Sequence, residues 1–291
     1  MPSAMRIEAS KIVCNSDGFA VIGRVHQASL LEATDGGEVV VDCSRLTFLG
    51  ANMCAPLAAA LAGRRARFRN VSPAIEAILA KNRFINTSEL RLDTYGTTIA
   101  YRHFDPSQRD EFQEYVHAHF RGKGLPKMTV ALMRRFRESL HELFENAVAH
   151  SETKLGIFAC GQYFPNRNEL HFCVSDRGVG IPTRVRDFLN TPISATDAIE
   201  WAMEGQNTTR LVSDGLPGGL GLKVVREFIA MNGGSIRVAS NDGYWWMRGA
   251  NVLTKRRLTP AFPGTTVDIE INTADTRSYA LANEIDPKGI F

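Results

Sequence analysis

The chain has 291 residues, enough for two ordinary domains, and its 44% hydrophobic and 22% charged residues are typical of a globular protein. The net charge of +3 is spread over both halves, so the basic footprint of a nucleic-acid-binding protein is missing. No apolar stretch reaches the roughly 18 residues that span a bilayer, and the first residues lack the apolar core of a signal peptide. The five cysteines form no Cys-x-x-Cys pair, so we expect reduced thiols in a cytoplasmic protein.

The first 104 residues predict strands that alternate with helices, which is the pattern of an α/β layer. Residues 18–25 and 38–43 are rich in Val and Ile and are predicted as strands. Residues 52–66 predict an Ala- and Leu-rich helix, and residues 67–70 a short extended piece. Ser72 and Pro73 then suit the N-cap and first position of another helix, which turns Ile75, Ile78 and Leu79 inward.

A resemblance follows from the segment 39–49, which contains Asp42 and precedes a turn of small residues and a helix. With Asn70 to Pro73, it resembles the STAS fold of anti-sigma-factor antagonists over residues 5–85. Regulated members of that family carry a phosphoacceptor serine in the turn. Here the turn has no hydroxyl group, since it reads Gly50, Ala51, Asn52, Met53. The resemblance implies a protein-binding domain that is not switched by phosphorylation at this turn.

The polar segment 105–110 contains Pro106 and is predicted as a linker between domains 1–104 and 111–291. Beyond it, an amphipathic helix is predicted from Leu132, Phe136, Leu140, Leu143 and Ala147. A further helix is predicted over 219–231. Strands are predicted at 154–160, 169–175, 235–240 and 265–271. The order indicates an α+β arrangement in which helices cover one face of an antiparallel or mixed sheet.

Three motifs in this second region carry chemistry. Glu142 and Asn146 are four residues apart and share one face of the helix. An Asn amide oxygen is a hard ligand that suits Mg²⁺, and a neighbouring Glu can activate a water molecule. Asp176 ends an apolar strand and is followed by Gly178 and Gly180, whose backbone can approach a flat ligand closely. Taken alone, these motifs also fit an exposed helix face and a plain turn.

The third motif opens a helix, where free N–H groups attract phosphate. It consists of Gly218, Gly219, Leu220, Gly221 and Leu222. Competing motifs are absent from the sequence. Thr183 and Val224 stand where Gly-x-Gly-x-x-Gly needs glycine, and no Walker A motif occurs. His141 and Glu142 are followed by Glu145 rather than by the second histidine of a zincin.

In this order, the segments resemble the GHKL ATPase superfamily of gyrase, MutL, histidine kinases and anti-sigma serine kinases over residues 125–272. The resemblance implies a Bergerat-type α/β sandwich that binds ATP and Mg²⁺, with a mobile lid at 182–217. It assigns Glu142 as the catalytic base and Asn146 as the metal ligand. Asp176 and Thr265 would hold adenine, and the two glycine segments the rest of the nucleotide.

Three functions remain open from the sequence. The first is ATP hydrolysis as a conformational switch in signalling, and the second is a protein serine/threonine kinase of the anti-sigma type. The third is a non-catalytic module that binds ATP to change partners. We expect a protein partner that binds through the STAS-like domain, with homodimerisation left open. Membrane and nucleic acid are not expected as partners.

Overall fold

The computed structural model describes residues 5–32, 38–85, 93–204, 220–281 and 284. The helices are α1 (Ser16–Glu32), α2 (Cys54–Leu61), α3 (Pro73–Lys81), α4 (Arg109–His119), α5 (Val130–His150), α6 (Ile181–Leu189), α7 (Ala195–Met203) and α8 (Leu220–Asn232). The strands are β1 (Met5–Arg6), β2 (Lys11–Ile12), β3 (Glu38–Asp42), β4 (Phe48–Leu49), β5 (Arg65–Arg69), β6 (Thr98–Phe104), β7 (Lys127–Met128), β8 (Ile157–Phe164), β9 (Glu169–Asp176), β10 (Ser235–Arg248), β11 (Asn251–Asn272) and β12 (Ser278–Tyr279). Among these helices, none is both long and apolar enough to cross a membrane.

The N-terminal unit is built on a parallel three-stranded sheet in the order β1-β3-β5. Strand β3 and helix α3 form where the sequence predicts them, and α3 begins at Pro73. The predicted strand at 18–25 is wrong, because these residues lie in α1. Phe19 and Ile22 are three residues apart and both fully buried, so a helix buries them on one side. The Asn15 side chain caps this helix by accepting a hydrogen bond from the Gly18 N–H (2.9 Å).

The second sheet has five strands in the order β10-β11-β9-β8-β6. All its pairings between described strands are antiparallel, which is the first of the two predicted alternatives and not the mixed sheet. Antiparallel neighbours can be joined by short connections. Strands β8 and β9 are joined through a short 3₁₀ turn, Pro165–Arg167, after which Asn168 adopts a left-handed conformation (φ 55°).

One face of this sheet, which we call the front face, carries helices α4, α5 and α8. The predicted apolar stripe of α5 is confirmed, because all five side chains are buried in the front core: Leu132, Phe136, Leu140, Leu143 and Ala147. The Thr129 hydroxyl caps the start of α5 by accepting a hydrogen bond from the Leu132 N–H (3.2 Å). Helix α5 is thereby fixed across the sheet, with its C-terminal end at one edge of the front core.

The opposite face, which we call the back face, is covered by α1 and α2 of the N-terminal unit. Helices α4, α5 and α8 of the second unit thus cover one face of its sheet, as predicted, and the N-terminal unit adds helices on the other face. Phe158, Cys160 and Cys173 project from the back face and would expose apolar surface without this cover. The thiol of Cys160 also donates to the Asn52 carbonyl (3.3 Å). Cysteines 43, 54, 160 and 173 are buried free thiols, as the sequence predicts.

The predicted linker at 105–110 directly follows a strand of the five-stranded sheet. Strand β6, which precedes this segment, pairs with β8 and forms an edge of the five-stranded sheet. Arg109 and Asp110, the last residues of the predicted linker, begin α4. Strand β6 thus belongs to the second sheet, and its Tyr101 N–H also donates to the Asn82 carbonyl (2.7 Å) directly after α3.

Strands β10 and β11 continue beyond the end of β9 as a long two-stranded arm. On one side, the Phe19 ring of α1 packs against the rings of Tyr244 (6.0 Å) and Phe262 (5.7 Å). On the other side, α7 packs on β10, where Gly243 lets Ile199 approach closely. The arm thus joins the N-terminal unit to the segment that follows the Asp176 turn.

Candidate functional site

Polar residues form one row across the end of the front face. Asp176 in β9 lies opposite Thr265 in β11, and Thr265 lies opposite Ser240 in β10. The Ser240 and Thr265 hydroxyl groups are 2.8 Å apart, and the Ser240 hydroxyl accepts a hydrogen bond from the Ile181 N–H (2.9 Å). Three strands therefore bring these side chains together where the front core ends.

The turn after β9 is held against the end of α5. The Gly178 N–H donates to the Asp176 carboxyl (2.8 Å), and the Val179 N–H donates to the Ser151 carbonyl (2.8 Å). A Cβ on Gly178 would overlap the Ser151 carbonyl. Gly180 has a φ of +85°, and a Cβ there would overlap the Asn241 side chain. Both glycines are thus required by close approach within the protein, whereas the sequence suggested approach to a ligand.

The carboxyl group of Asp176 is buried, and this burial raises its pKa from 3.8 to about 7. Hydrogen bonds from the backbone N–H groups of Gly178 and Thr265 act in the opposite direction and limit the shift. A carboxyl with this pKa changes its charge near neutral pH. It is also well suited to accept a hydrogen bond from an amino group that enters the site, since such a bond favours the charged form.

Helix α5 brings the first motif to the same end of the sheet. Glu142 and Asn146 are both half-buried, and the helix that carries them ends one residue before Ser151, which holds the turn. Glu145 on the neighbouring face forms an ion pair with Arg109 (2.9 Å) and lies 3.5 Å from the His141 ring. The amide and carboxyl of Asn146 and Glu142 are therefore carried on a helix that directly contacts the Asp176 turn.

A comparison with protein families matches residues 132–274 to the histidine kinase-, DNA gyrase B- and HSP90-like ATPases. The matched segment contains α5, the Asp176 turn and the Thr265 row. It forms a GHKL-type ATP-binding domain. A comparison with curated proteins found no match to the chain. The family thus bears out the resemblance for the second unit, and it does not extend to the N-terminal unit.

Part of the predicted site lies outside the described residues. Gly218 and Gly219 of the second glycine segment are in the stretch 205–219, which the structure does not describe. Leu220, Gly221 and Leu222 form the first turn of α8, as expected for residues at a helix start. Of the predicted lid at 182–217, the described part contains most of α6 and all of α7, and the remainder from residue 205 lies outside.

Sequence reasoning missed several residues of the GHKL site. The Asn241 amide donates to the Val179 carbonyl and the Thr183 hydroxyl (both 3.1 Å), so it fixes the turn to the start of α6. Ser151 and Ser240 hold the turn and Thr265, as described above. The hairpin register would reveal Ser240, because it lies directly opposite Thr265. Asn241 and Ser151 have no comparable signal in the sequence.

Behind the GHKL sheet, the N-terminal turn joins a buried charged network. The Asn52 amide donates to Asp268 (2.9 Å), whose other oxygen lies 3.0 Å from the His171 ring. Arg237 donates to Asp268 (3.4 Å) and to Glu270 (2.6 Å). Burial alone would lower the pKa of His171, but the Asp268, Glu169 and Glu270 carboxylates raise it to about 9. The turn is thus held on the face opposite α5.

The side chains near the candidate site agree with a Mg²⁺ ion that takes most of its ligands from a bound nucleotide. Among the residues that the structure describes, no group of three or more His, Cys, Asp or Glu side chains could hold a metal ion. Mg²⁺ commonly takes one or two protein oxygens and obtains its other ligands from phosphates and water. The half-buried amide of Asn146 agrees with this pattern. When bound, the metal would neutralise phosphate charge.

Proposed function

We propose that the chain hydrolyses ATP at the GHKL domain and that the nucleotide state controls the N-terminal unit by direct contact. The observation that carries this proposal is the Asp176–Thr265 row, closed by the turn on the end of α5. The row offers a buried carboxyl and a hydroxyl to an adenine ring. It lies at the end of the helix that carries Glu142 and Asn146.

In this proposal, Glu142 is the general base and Asn146 the protein ligand of Mg²⁺. A base must lie within hydrogen-bonding reach of the water or hydroxyl that it activates. Glu142 is one helical turn before Asn146, so a metal at Asn146 would bring the terminal phosphate toward Glu142. The same carboxylate could activate a hydroxyl of a protein substrate, which keeps the kinase hypothesis as the second candidate.

The N-terminal unit is proposed to be STAS-like, supported by its strand and helix alternation and by the turn that precedes α2. Its turn is buried: Asn52 is 4% exposed and Ala51 is fully buried. The Ala51 N–H donates to Gln162 (2.7 Å) on the back face. A turn buried on the face opposite α5 cannot present a phosphoacceptor to the nucleotide. Contact is therefore the favoured means of control, and a signalling protein is the favoured partner.

A turnover assay on the purified full-length chain tests the proposal. Inorganic phosphate would be measured with ATP, with and without Mg²⁺, and labelled phosphate would be followed into added protein. Mg²⁺-dependent phosphate release without added protein is the expected result. Transfer of label to a partner protein would replace hydrolysis with the kinase function. ATP binding with neither activity would leave an ATP-dependent interaction module.

A further inference from the structure

The side chain of Arg177 leaves the candidate nucleotide site and reaches the N-terminal unit. Asp176 ends β9 on the front face, and Arg177 is the next residue. The Arg177 guanidinium donates a hydrogen bond to the carbonyl of Ala62, directly after the last residue of α2. Consecutive residues of an extended strand project to opposite faces. One residue therefore joins the Asp176 turn on the front face to a helix on the back face.

The end of α2 is suited to bind such a cation. The last carbonyl groups of a helix lack intrahelical partners and lie at the negative end of its dipole. At this end of α2, one helix carbonyl and the carbonyl of the C-cap residue Ala62 are bound by side chains from elsewhere in the fold. The His26 ring of α1 lies 2.8 Å from the Ala60 carbonyl, and Arg177 binds the Ala62 carbonyl. The α2 end is therefore bound on one side by its own unit and on the other by the GHKL domain.

The described groups around the Arg177–Ala62 hydrogen bond are basic, so no carboxylate among them competes with the Ala62 carbonyl for the Arg177 guanidinium. Burial lowers the pKa of Arg177, and the nearby Arg64 lowers it further. The pKa of His26 is lowered mainly by burial and also by Arg177 and Arg64. Within the described part of the chain, neither Arg177 nor Arg64 forms an ion pair with a carboxylate. The carbonyl end of α2 is thus the group that holds the Arg177 side chain in place.

The backbone from Asp176 to Gly178 is closely packed, so it cannot move independently of Arg177. Gly178 lies against the Ser151 carbonyl, and a Cβ on Gly264 would lie 2.7 Å from the Arg177 Cα. The Asp176 carboxyl is itself bound to the Gly178 N–H. A shift of α2 that pulls Arg177 therefore moves the backbone between Asp176 and Gly178, and it reorients the carboxyl that faces the site.

We propose that Arg177 is a positioning residue through which helix α2 of the N-terminal unit sets the affinity and base selectivity of the nucleotide site. The inference rests on the proposed function, in which Asp176 accepts a hydrogen bond from adenine. It assigns α2 as the element that carries a signal from the N-terminal unit to the nucleotide, or in the reverse direction.

The test compares the full-length wild type with Arg177→Ala, Arg177→Lys and a matched control, Arg277→Ala. Arg277 makes the same kind of contact, since it donates to the Met231 carbonyl near the end of α8 (2.6 Å), but it does not contact the turn. Calorimetry would give the affinities for ATP and GTP, and thermal unfolding without nucleotide would report stability. We expect Arg177→Ala to weaken ATP binding about three- to tenfold and to reduce the preference for ATP over GTP. Arg177→Lys should restore part of both, and Arg277→Ala should change neither.

A lower melting temperature in Arg177→Ala with unchanged affinity and preference would reduce Arg177 to a structural role and overturn the inference. Should that variant fail to fold, hydrogen exchange in the wild type decides. A non-hydrolysable ATP analogue should slow exchange in residues 54–63, and unchanged exchange at saturating analogue would overturn the coupling. A wild type that binds no ATP would instead overturn the proposed function and this inference with it, which the calorimetry shows directly.

Discussion

Asp176 and Thr265 lie opposite each other on β9 and β11, and the Thr265 backbone N–H donates to the Asp176 carboxyl. The Thr265 hydroxyl is held at 2.8 Å by Ser240. The two residues that we assign to adenine are therefore oriented by the protein itself. A site arranged in advance loses less conformational freedom on binding than one that must form around its ligand.

Replacing Asp176 with Asn should weaken ATP binding and relax discrimination against GTP. A carboxylate accepts a hydrogen bond from the adenine amino group, whereas an amide can donate or accept and so reads the base ambiguously. A loss of about tenfold or more in affinity is expected for a hydrogen bond to a charged group. Titration calorimetry with both nucleotides measures the effect, with the exposed Asp110→Asn as control. Equal ATP and GTP affinities in the wild type would contradict the assignment.

The stability of the protein should fall with pH because of Asp176. Its folded pKa of about 7 lies above the ordinary value of 3.8. The folded protein then binds the proton more tightly than the unfolded chain does, so the contribution is complete below pH 3.8 and is lost as pH rises through 7. Between these two pKa values, the free energy of unfolding should fall by about 1.4 kcal/mol per pH unit because of Asp176. Urea unfolding between pH 5 and 6.5 should show this slope as the difference between the wild type and Asp176→Asn, which lacks the titrating carboxyl. Parallel curves for the two proteins would place the carboxyl pKa near its ordinary value.

Glu142→Gln should retain ATP binding and lower phosphate release by roughly 10²-fold, the usual scale for loss of a general base. The amide keeps the size of the side chain and removes its basicity. Glu138→Gln is a matched control, because Glu138 lies one turn earlier on α5 and pairs with Arg135 near the surface. Steady-state turnover and ATP affinity would be measured for both variants. If Glu142→Gln hydrolysed ATP at the wild-type rate, Glu142 would not be the general base.

Asn146→Ala should abolish the Mg²⁺-dependent part of ATP binding while the fold remains intact. The substitution removes a hard oxygen donor, and Asn146→Asp, which keeps one, should retain Mg²⁺ dependence. Calorimetry with Mg²⁺ and with a chelator separates the two contributions, and circular dichroism checks the fold. Identical affinity of Asn146→Ala and wild type in Mg²⁺ would show that the metal ligand is elsewhere.

Incubation with Mg²⁺ and ATP should leave residues 44–60 without phosphate. The turn from Gly50 to Met53 has no hydroxyl, and its backbone is bonded to the back face through Gln162. The Ser44 N–H donates to the Asp42 carboxylate (2.9 Å), whose charge would repel a phosphate on Ser44, and the Thr47 hydroxyl donates to the Ser10 carbonyl (2.9 Å). Mass spectrometry after incubation checks this expectation. ATP-dependent phosphate in this segment would restore regulation by phosphorylation.

Local patterns in the sequence were sufficient for much of the GHKL domain. The apolar stripe of α5 follows from its three- and four-residue spacing, since a helix brings such residues to one side. The same periodicity places Glu142 and Asn146 on a common face beside the stripe. The stripe and the shared face depend on neighbours along the chain, and the sequence contains them completely. The glycines after Asp176 indicate a turn, but the close approach of Ser151 and Asn241 that requires them comes from tertiary packing.

Tertiary packing decided the remainder. Residues 18–25 are β-branched enough to suggest a strand, yet they form part of α1 because the back face of a second sheet offers a surface for Phe19 and Ile22. The cover on that face, and the contact of Arg177 with Ala62, join residues 115 positions apart. Neither periodicity nor a motif encodes such a contact, because it depends on how the two units pack. The sequence alone therefore determined which side chains form the candidate nucleotide site, and the tertiary structure determined what that site touches.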